Sequence, residues 1–180
     1  MKYLVLTDIH GSSKYLKQVL NKVNVYDKLI ILGDILYHGP RNDLPNEYNP
    51  KEVITILNEN KEKIIAVRGN CDADVDLMVL DFKIENHLWM NIDGVKFLIT
   101  HGHIYNKSNV SLDRQDYYML YGHYHVNEVN VYGNITCINL GSLSIPKDGH
   151  YSYAIIEDGV YRSYDLFSEE KLVEVKINEK

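Results

Sequence analysis

Cysteine is nearly absent from this chain: Cys71 and Cys137, far apart, are the only two in 180 residues. That count leaves no disulfide framework and suits a reduced environment. A surplus of basic charge is missing too. Lys and Arg number 19 against 25 Asp and Glu, a formal net charge of −6, so no cationic face is available to track a nucleic-acid backbone. No apolar run approaches the roughly 20 residues of a membrane span, and the run after Met1 is too short for a secretory signal. These absences lead to the expectation of a cytoplasmic protein with neither membrane nor extended nucleic acid as a partner. Phenylalanine is scarce, with 3 residues against 15 tyrosines. What remains is a 45% apolar chain, long enough for one well-buried core and too short for two, so a single domain over residues 1–180 is expected.

Apolar runs with the length of buried strands punctuate the sequence, and each ends in a polar cluster. Lys28-Leu29-Ile30-Ile31-Leu32 runs into Gly33-Asp34, Tyr3–Leu6 into Asp8-Ile9-His10-Gly11, and Ile64–Val67 into Arg68-Gly69-Asn70-Cys71-Asp72. Val95–Ile99 runs into His101-Gly102-His103, and Tyr117–Tyr121 into Gly122-His123-Tyr124-His125. Turn chemistry alone favours Gly, Asn, Asp and Ser and gives histidine no special role. Strand ends in α/β proteins are where ligands bind, so one convergent site explains the five clusters better than five separate turns.

Between these runs, Leu16, Val19, Leu20 and Val23 fall at i, i+3, i+4, i+7, predicting a helix capped by Ser12 or Ser13. Residues 35–49 hold Gly39, Pro40 and Pro45 without periodicity and read as a long surface loop, a connection of the kind that is usually functional. Within it the guanidinium of Arg41 suits a substrate phosphate, whereas His38 reads as a solvated loop residue. Pro50 opens a second helix with Val53, Ile54, Ile56 and Leu57 on its apolar face. Residues 75–92 read as short strands crossing onto a second sheet, and Asp93-Gly94 as a hairpin turn. Residues 106–115 read as a polar loop with one helical turn, and residues 178–180 as a frayed end. From Glu128 to Ile177 the chain alternates as an antiparallel meander. The βα units joined to this β-rich half predict an α/β fold: a four-layer αββα sandwich of two mixed sheets flanked by helices, with a metal site at the C-terminal ends of strands.

The series Asp8-x-His10, Gly33-Asp34, Gly69-Asn70, His101-Gly102-His103 and Gly122-His123-x-His125 resembles the calcineurin-like metallophosphoesterases. More narrowly, Asp34 through His38-Gly39-Pro40-Arg41-Asn42, with Val67–Asp72, resembles the small single-domain bacterial phosphodiesterases of the YfcE type. The resemblance runs from Met1 to about Lys147. It implies that Asp8, His10 and His125 bind one divalent metal, that Asn70, His101 and His123 bind another, and that Asp34 bridges them. It further implies attack by a metal-bridging hydroxide on the phosphorus of a small phosphodiester. Asp34, Asn70 and His101 would then be catalytic, with His103 and Cys71 beside them, and Asn70 and Arg41 would meet the substrate. Mixed imidazole and carboxylate ligation suits Mn²⁺ better than Mg²⁺; Zn²⁺, Fe and Ni are the other candidates. A homodimer or homotetramer is the expected assembly.

Three positions depart from the wider family. Cys71 stands where a histidine often protonates the leaving group or holds the phosphate, Tyr124 replaces a small residue between the last two histidines, and Leu140 occupies a position where proline is common. A thiol is a weaker acid catalyst than an imidazolium and can ionise in an electropositive site. Two alternatives stand beside the phosphodiesterase reading: a phosphomonoesterase on the same site, and a non-catalytic metal-binding scaffold.

Overall fold

The computed structural model describes residues 1–110 and 116–177. Part of the stretch read as a helical turn, 111–115, and the terminal 178–180 lie outside the described residues; residues 106–109 form turns and bends.

Fourteen strands and helices follow in order: β1 (Tyr3–Leu6), α1 (Ser13–Lys22), β2 (Lys28–Ile31), α2 (Pro50–Glu59), β3 (Ile64–Val67), β4 (Ile84–Glu85), β5 (Leu88–Ile92), β6 (Val95–Ile99), β7 (Tyr117–Tyr121), β8 (Glu128–Tyr132), β9 (Ile135–Asn139), β10 (Ser152–Glu157), β11 (Val160–Asp165) and β12 (Lys171–Lys176). They make two mixed sheets, one of seven strands in the order β12-β11-β10-β1-β2-β3-β4 and one of five in the order β5-β6-β7-β9-β8. Strands β1, β2 and β3 run parallel in the first sheet, and β6, β7 and β9 run parallel in the second. The C-terminal ends that carry the polar clusters therefore lie side by side within each sheet.

Period-2 alternation divides the apolar strands between two cores. Leu4, Leu6, Leu29 and Ile31 pack with Leu16, Val19, Val53 and Leu57 of the helices. Their neighbours Tyr3, Val5, Ile30 and Leu32 face Phe97, Ile99, Leu120 and Ile138 across the space between the sheets. Both α-helices among the described residues pack on the seven-stranded sheet. The outer face of the five-stranded sheet carries its own buried group, Leu98, Tyr117, Met119, Tyr121, Ile135 and Cys137, against which Val110, Tyr124 and Tyr132 pack.

Local details refine the sequence reading. Ser12 is the N-cap of α1 but makes no side-chain cap; its hydroxyl donates instead to the Asn46 carbonyl at 2.7 Å and ties down the long loop. Asn49 caps α2 through its side chain, with Pro50 at the first turn. The expected single meander is divided between the sheets. β8 and β9 form an antiparallel pair in the second sheet, and β10 to β12 an antiparallel run in the first. The reason is that β9 pairs in parallel with β7, which places its exit, Leu140 to Ser144, beside the end of β1.

Candidate metal centre

The ends of β1 and β2 are laced together by backbone bonds from Asp8 N–H to the Gly33 carbonyl (3.1 Å), His10 N–H to the Asp34 carbonyl (2.9 Å) and Gly11 N–H to the Ile35 carbonyl (2.8 Å). Strain is concentrated here. Of the nine non-glycine residues with positive φ among those described, five are Asp8 (52°), His10 (46°), Asp34 (55°), His123 (70°) and His125 (60°). Each such residue costs on the order of 1–3 kcal/mol and persists only where its surroundings over-determine it. At Asp8 the surroundings do so: Ser142 and Ser144 hydroxyls both donate to its carbonyl, at 2.9 and 3.0 Å, and Thr7 Oγ1 and the His123 amide donate to its Oδ2, at 2.7 and 3.1 Å.

Three histidines share one arrangement. Nδ1 of His10 meets the Tyr37 carbonyl, Nδ1 of His101 the Leu32 carbonyl and Nδ1 of His125 the Ile145 carbonyl, each at 2.7 Å. A carbonyl can only accept, so the hydrogen sits on Nδ1 and every Nε2 turns inward, the tautomer metal-binding histidines adopt. Inside, Asp8 Oδ1 lies 3.1 Å from His125 Nε2 and 3.6 Å from His10 Nε2. Asp34 Oδ2 lies 3.3 Å from His101 Nε2 and 3.8 Å from His10 Nε2, and Asn70 Oδ1 is 3.1 Å from His101 Nε2. Asp34 thus stands between the His10 and His101 sides.

Ligand atoms of Asp8, His10 and His125, of Asp8, Asp34 and His101, and of His10, Asp34 and Cys71 lie within 4.8 Å of one another. His123 sits beside these groups, its ring 5.1 Å from that of His101. The centre fits a cation on its own terms. Asp8 Oδ1 and His10 Nε2 are buried without a hydrogen-bond partner, and no Lys or Arg is paired with Asp8 or Asp34 among the described residues. Burial should raise the Asp8 carboxyl, yet His10 and His125 hold it well below the usual range. Burial likewise opposes charge on His101, but Asp34 lifts its pKa to about 9. Burial and then His101 push His123 down to about 4. The imidazoles here counter a charge deficit that a metal would otherwise meet.

Glycine is required where the strand ends touch. A Cβ on Gly69 would overlap the Asp34 carboxylate, and one on Gly122 would overlap Thr7 Oγ1 and come within 2.6 Å of Asp8 Oδ2.

The remaining candidates fall on different sides. Arg41 is exposed and lines a cavity of about 270 Å³ with Asp34, Asn70, Cys71, His123 and His125. Cys71 is not in electropositive surroundings: burial, then the Asp34 carboxylate, pushes its thiol up to about 12. His103 is exposed and faces a separate cavity of about 360 Å³ with Arg68, Asn86 and Ile104, which shares Asn70 with the first; burial and then His101 lower its pKa. Sequence reasoning missed Asp72, which holds the backbone of the Asp34 loop, and Lys147, which lines the Arg41 cavity. The signal for Lys147 was only that it follows shortly after His125; the signal for Asp72 was blurred by Asp74 and Asp76 close behind.

Two mixed sheets whose parallel strands deliver Asp and His to one buried centre define the class: the chain belongs to the calcineurin-like phosphoesterase superfamily. The family model for the calcineurin-like phosphoesterase superfamily domain matches residues 1–158. The chain is 39% identical to phosphodiesterase YfcE of Escherichia coli strain K12 over 183 aligned positions, covering 99% of each. Its structure superposes on that of YfcE, described as a phosphoesterase from E. coli, with a TM-score of 0.93 at 38% identity, over 99% of this chain and 100% of that one. A zinc complex of Vps29 from Entamoeba histolytica shares the fold at 17% identity, with a TM-score of 0.61 over 99% of this chain and 100% of that one.

Proposed function

We propose that the chain is a metal-dependent phosphodiesterase with a dinuclear centre, Asp8, His10 and His125 holding one ion and Asn70, His101 and His123 the other, with Asp34 between them. The observation that carries this reading is the buried Asp8–His10–Asp34–His101 array, in which Asp8 Oδ1 and His10 Nε2 are left without a hydrogen-bond partner. When bound, divalent ions supply an activated water and neutralise charge on the phosphoryl oxygens; manganese is the ion proposed. The chain's own residues do the rest. The three Nδ1–carbonyl bonds fix imidazole orientation, and the Asp72 carboxylate fixes the loop that carries Asp34. Asn70 reaches the rim of the cavity and presents an amide to a phosphoryl oxygen.

Arg41 and Lys147 line the same cavity, and neither side chain has a partner among the described residues. Two such cations can hold phosphoryl oxygens and draw an anionic ester toward the ions; the preference for a diester is supported by the 39% identity to phosphodiesterase YfcE. No helix among the described residues is long and apolar enough to cross a membrane, and the net charge of −6 disfavours extended nucleic acid; a small diester in the cytoplasm is the proposed substrate and setting.

Phosphomonoester hydrolysis is the second reading, favoured by the same pair of cations. The deciding experiment is an assay of matched aryl mono- and diesters with Mn²⁺, with Mg²⁺ and with neither. A higher kcat/KM for the diester supports the proposal; preference for the monoester replaces it, and no hydrolysis of either points to a metal-binding scaffold.

A further inference from the structure

A second cavity reaches Cys71 from the other side. It measures about 380 Å³ and is lined chiefly by Leu36, Tyr37, Tyr48, Ile54, Val75 and Val79, with Cys71 in its wall. The thiol therefore stands where a polar cavity over the metal centre meets an apolar one. Tyr37, Val75 and Val79 are 42%, 62% and 40% exposed, an unusual amount of apolar surface to leave open at the edge of a site built from Asp, Asn and His.

One wall of the groove is tied to the centre by a hydrogen bond, and another is anchored locally. The Tyr37 carbonyl holds His10 Nδ1 at 2.7 Å, and Asp76 accepts from the Ala73 amide at 2.9 Å, anchoring the turn that presents Val75 and Val79. Its volume is in the range of small-molecule sites, about 300–1,000 Å³, and it shares the Cys71 wall with the cavity that would hold phosphate. A sulfur atom at the junction offers a soft, apolar surface to a passing chain. Both facts fit an arm of the substrate better than the face of another protein.

We propose that this groove is a subsite for one ester substituent of the substrate, a short alkyl or aryl group, so that the enzyme acts on phosphodiesters with an apolar arm. The assignment rests on the phosphodiesterase reading. It is tested by titration calorimetry of the manganese-loaded protein with methylphosphonate, butylphosphonate and phenylphosphonate, which carry a single arm and have no ester bond to cleave. Burying a methylene is worth about fourfold in affinity, so butylphosphonate should bind at least about tenfold more tightly than methylphosphonate. In Val75→Ser and Val79→Asn, both at exposed positions that do not threaten the fold, the butyl-to-methyl ratio should fall toward one.

Equal affinities in the parent protein, or a ratio that the two substitutions leave unchanged, would overturn the subsite. So would sedimentation showing that the face is buried between copies of the chain and released by Val75→Ser. The ratio is independent of turnover. If it holds while no diester is hydrolysed, the groove stands and the phosphodiesterase reading falls; if diesters are hydrolysed and the ratio is one, the reverse follows.

Discussion

The carboxylate of Asp72 accepts the backbone N–H of Asp34 at 2.9 Å, so one buried aspartate positions another. Its two oxygens also take the amides of Gly69 at 2.7 Å and Ile35 at 2.7 Å, joining the ends of β2 and β3 at one point. Asp72→Ala strands three buried donors, each worth about 1–3 kcal/mol. The expected result is a loss of about 3–5 kcal/mol in urea unfolding, with metal affinity reduced as well. Asp72→Asn keeps one acceptor oxygen for the Asp34 and Gly69 amides and should lose roughly half as much.

Asp72 also marks the boundary of what the sequence discloses. Strand–cluster repetition marked Asp8, His10, Asp34, Asn70, His101, His123 and His125 as candidates because each follows an apolar run closely, and the structure brings ligand atoms of Asp8, His10, Asp34, His101 and His125 into shared groups. The parallel placement of β2 was readable from its unbroken apolar run; that of β9 beside β7 was not, since β9 reads as part of the antiparallel meander. What could not be read was contact at a distance: which of Asp72, Asp74 and Asp76 turns inward, or that Lys147 returns to the site beside Arg41. The division of the C-terminal strands between two sheets was hidden for a similar reason, since alternation reports exposure along a strand and not the identity of its neighbour.

Metal removal should abolish turnover. Asp34→Ala deletes the group between the His10 and His101 sides, and outer-shell partners alone are commonly worth 10–100-fold. A loss of more than about 100-fold is expected, together with fewer than two ions per chain by elemental analysis, against two in the parent. Undiminished activity after exhaustive chelation would contradict the metal-dependent reading.

Arg41→Ala and Lys147→Ala should act on substrate capture. A hydrogen bond to a charged group is worth about 1.5–3 kcal/mol, and the exposure of both side chains places them at the low end, so each substitution should raise KM about tenfold with a smaller change in kcat. Measured in steady state at two salt concentrations, the double variant should also lose most of the salt dependence of kcat/KM. An unchanged KM in both single variants would remove these residues from the substrate site.

Stripped of metal, the protein should show a distinctive pH profile. Burial opposes protonation of His101, but the Asp34 carboxylate outweighs it and raises the pKa from 6.5 to about 9. A raised folded-state pKa stabilises fully below 6.5, and the contribution is lost as pH climbs through about 9, on the order of 3 kcal/mol. The lowered Asp8 and Asp34 act in the opposite sense, their contribution present above the ordinary carboxylate range and lost as pH falls below it. Thermal melts of chelated protein between pH 6.5 and 10 should therefore decline, whereas the metal-loaded protein, with Nε2 already committed, should stay flat across that window.

Cys71 is held beside the candidate centre. Its amide donates to Asp34 Oδ1 at 2.8 Å, and Asn70 Nδ2 lies 3.3 Å from its sulfur, so the side chain is fixed beside the centre. With burial and the Asp34 charge pushing the thiol up to about 12, the proton stays on sulfur and is a poor donor to an alkoxide. A general acid is worth about 10²–10⁴-fold, and it matters most when the leaving oxygen is basic. Parent enzyme should therefore favour aryl over alkyl leaving groups. Cys71→His places an imidazole at the same rim and should raise kcat for alkyl esters by at least about tenfold more than for aryl esters, while Cys71→Ser leaves aryl turnover nearly unchanged. Equal gains on both substrate types in Cys71→His, with metal content intact, would mean that position 71 shapes the cavity and does not deliver a proton.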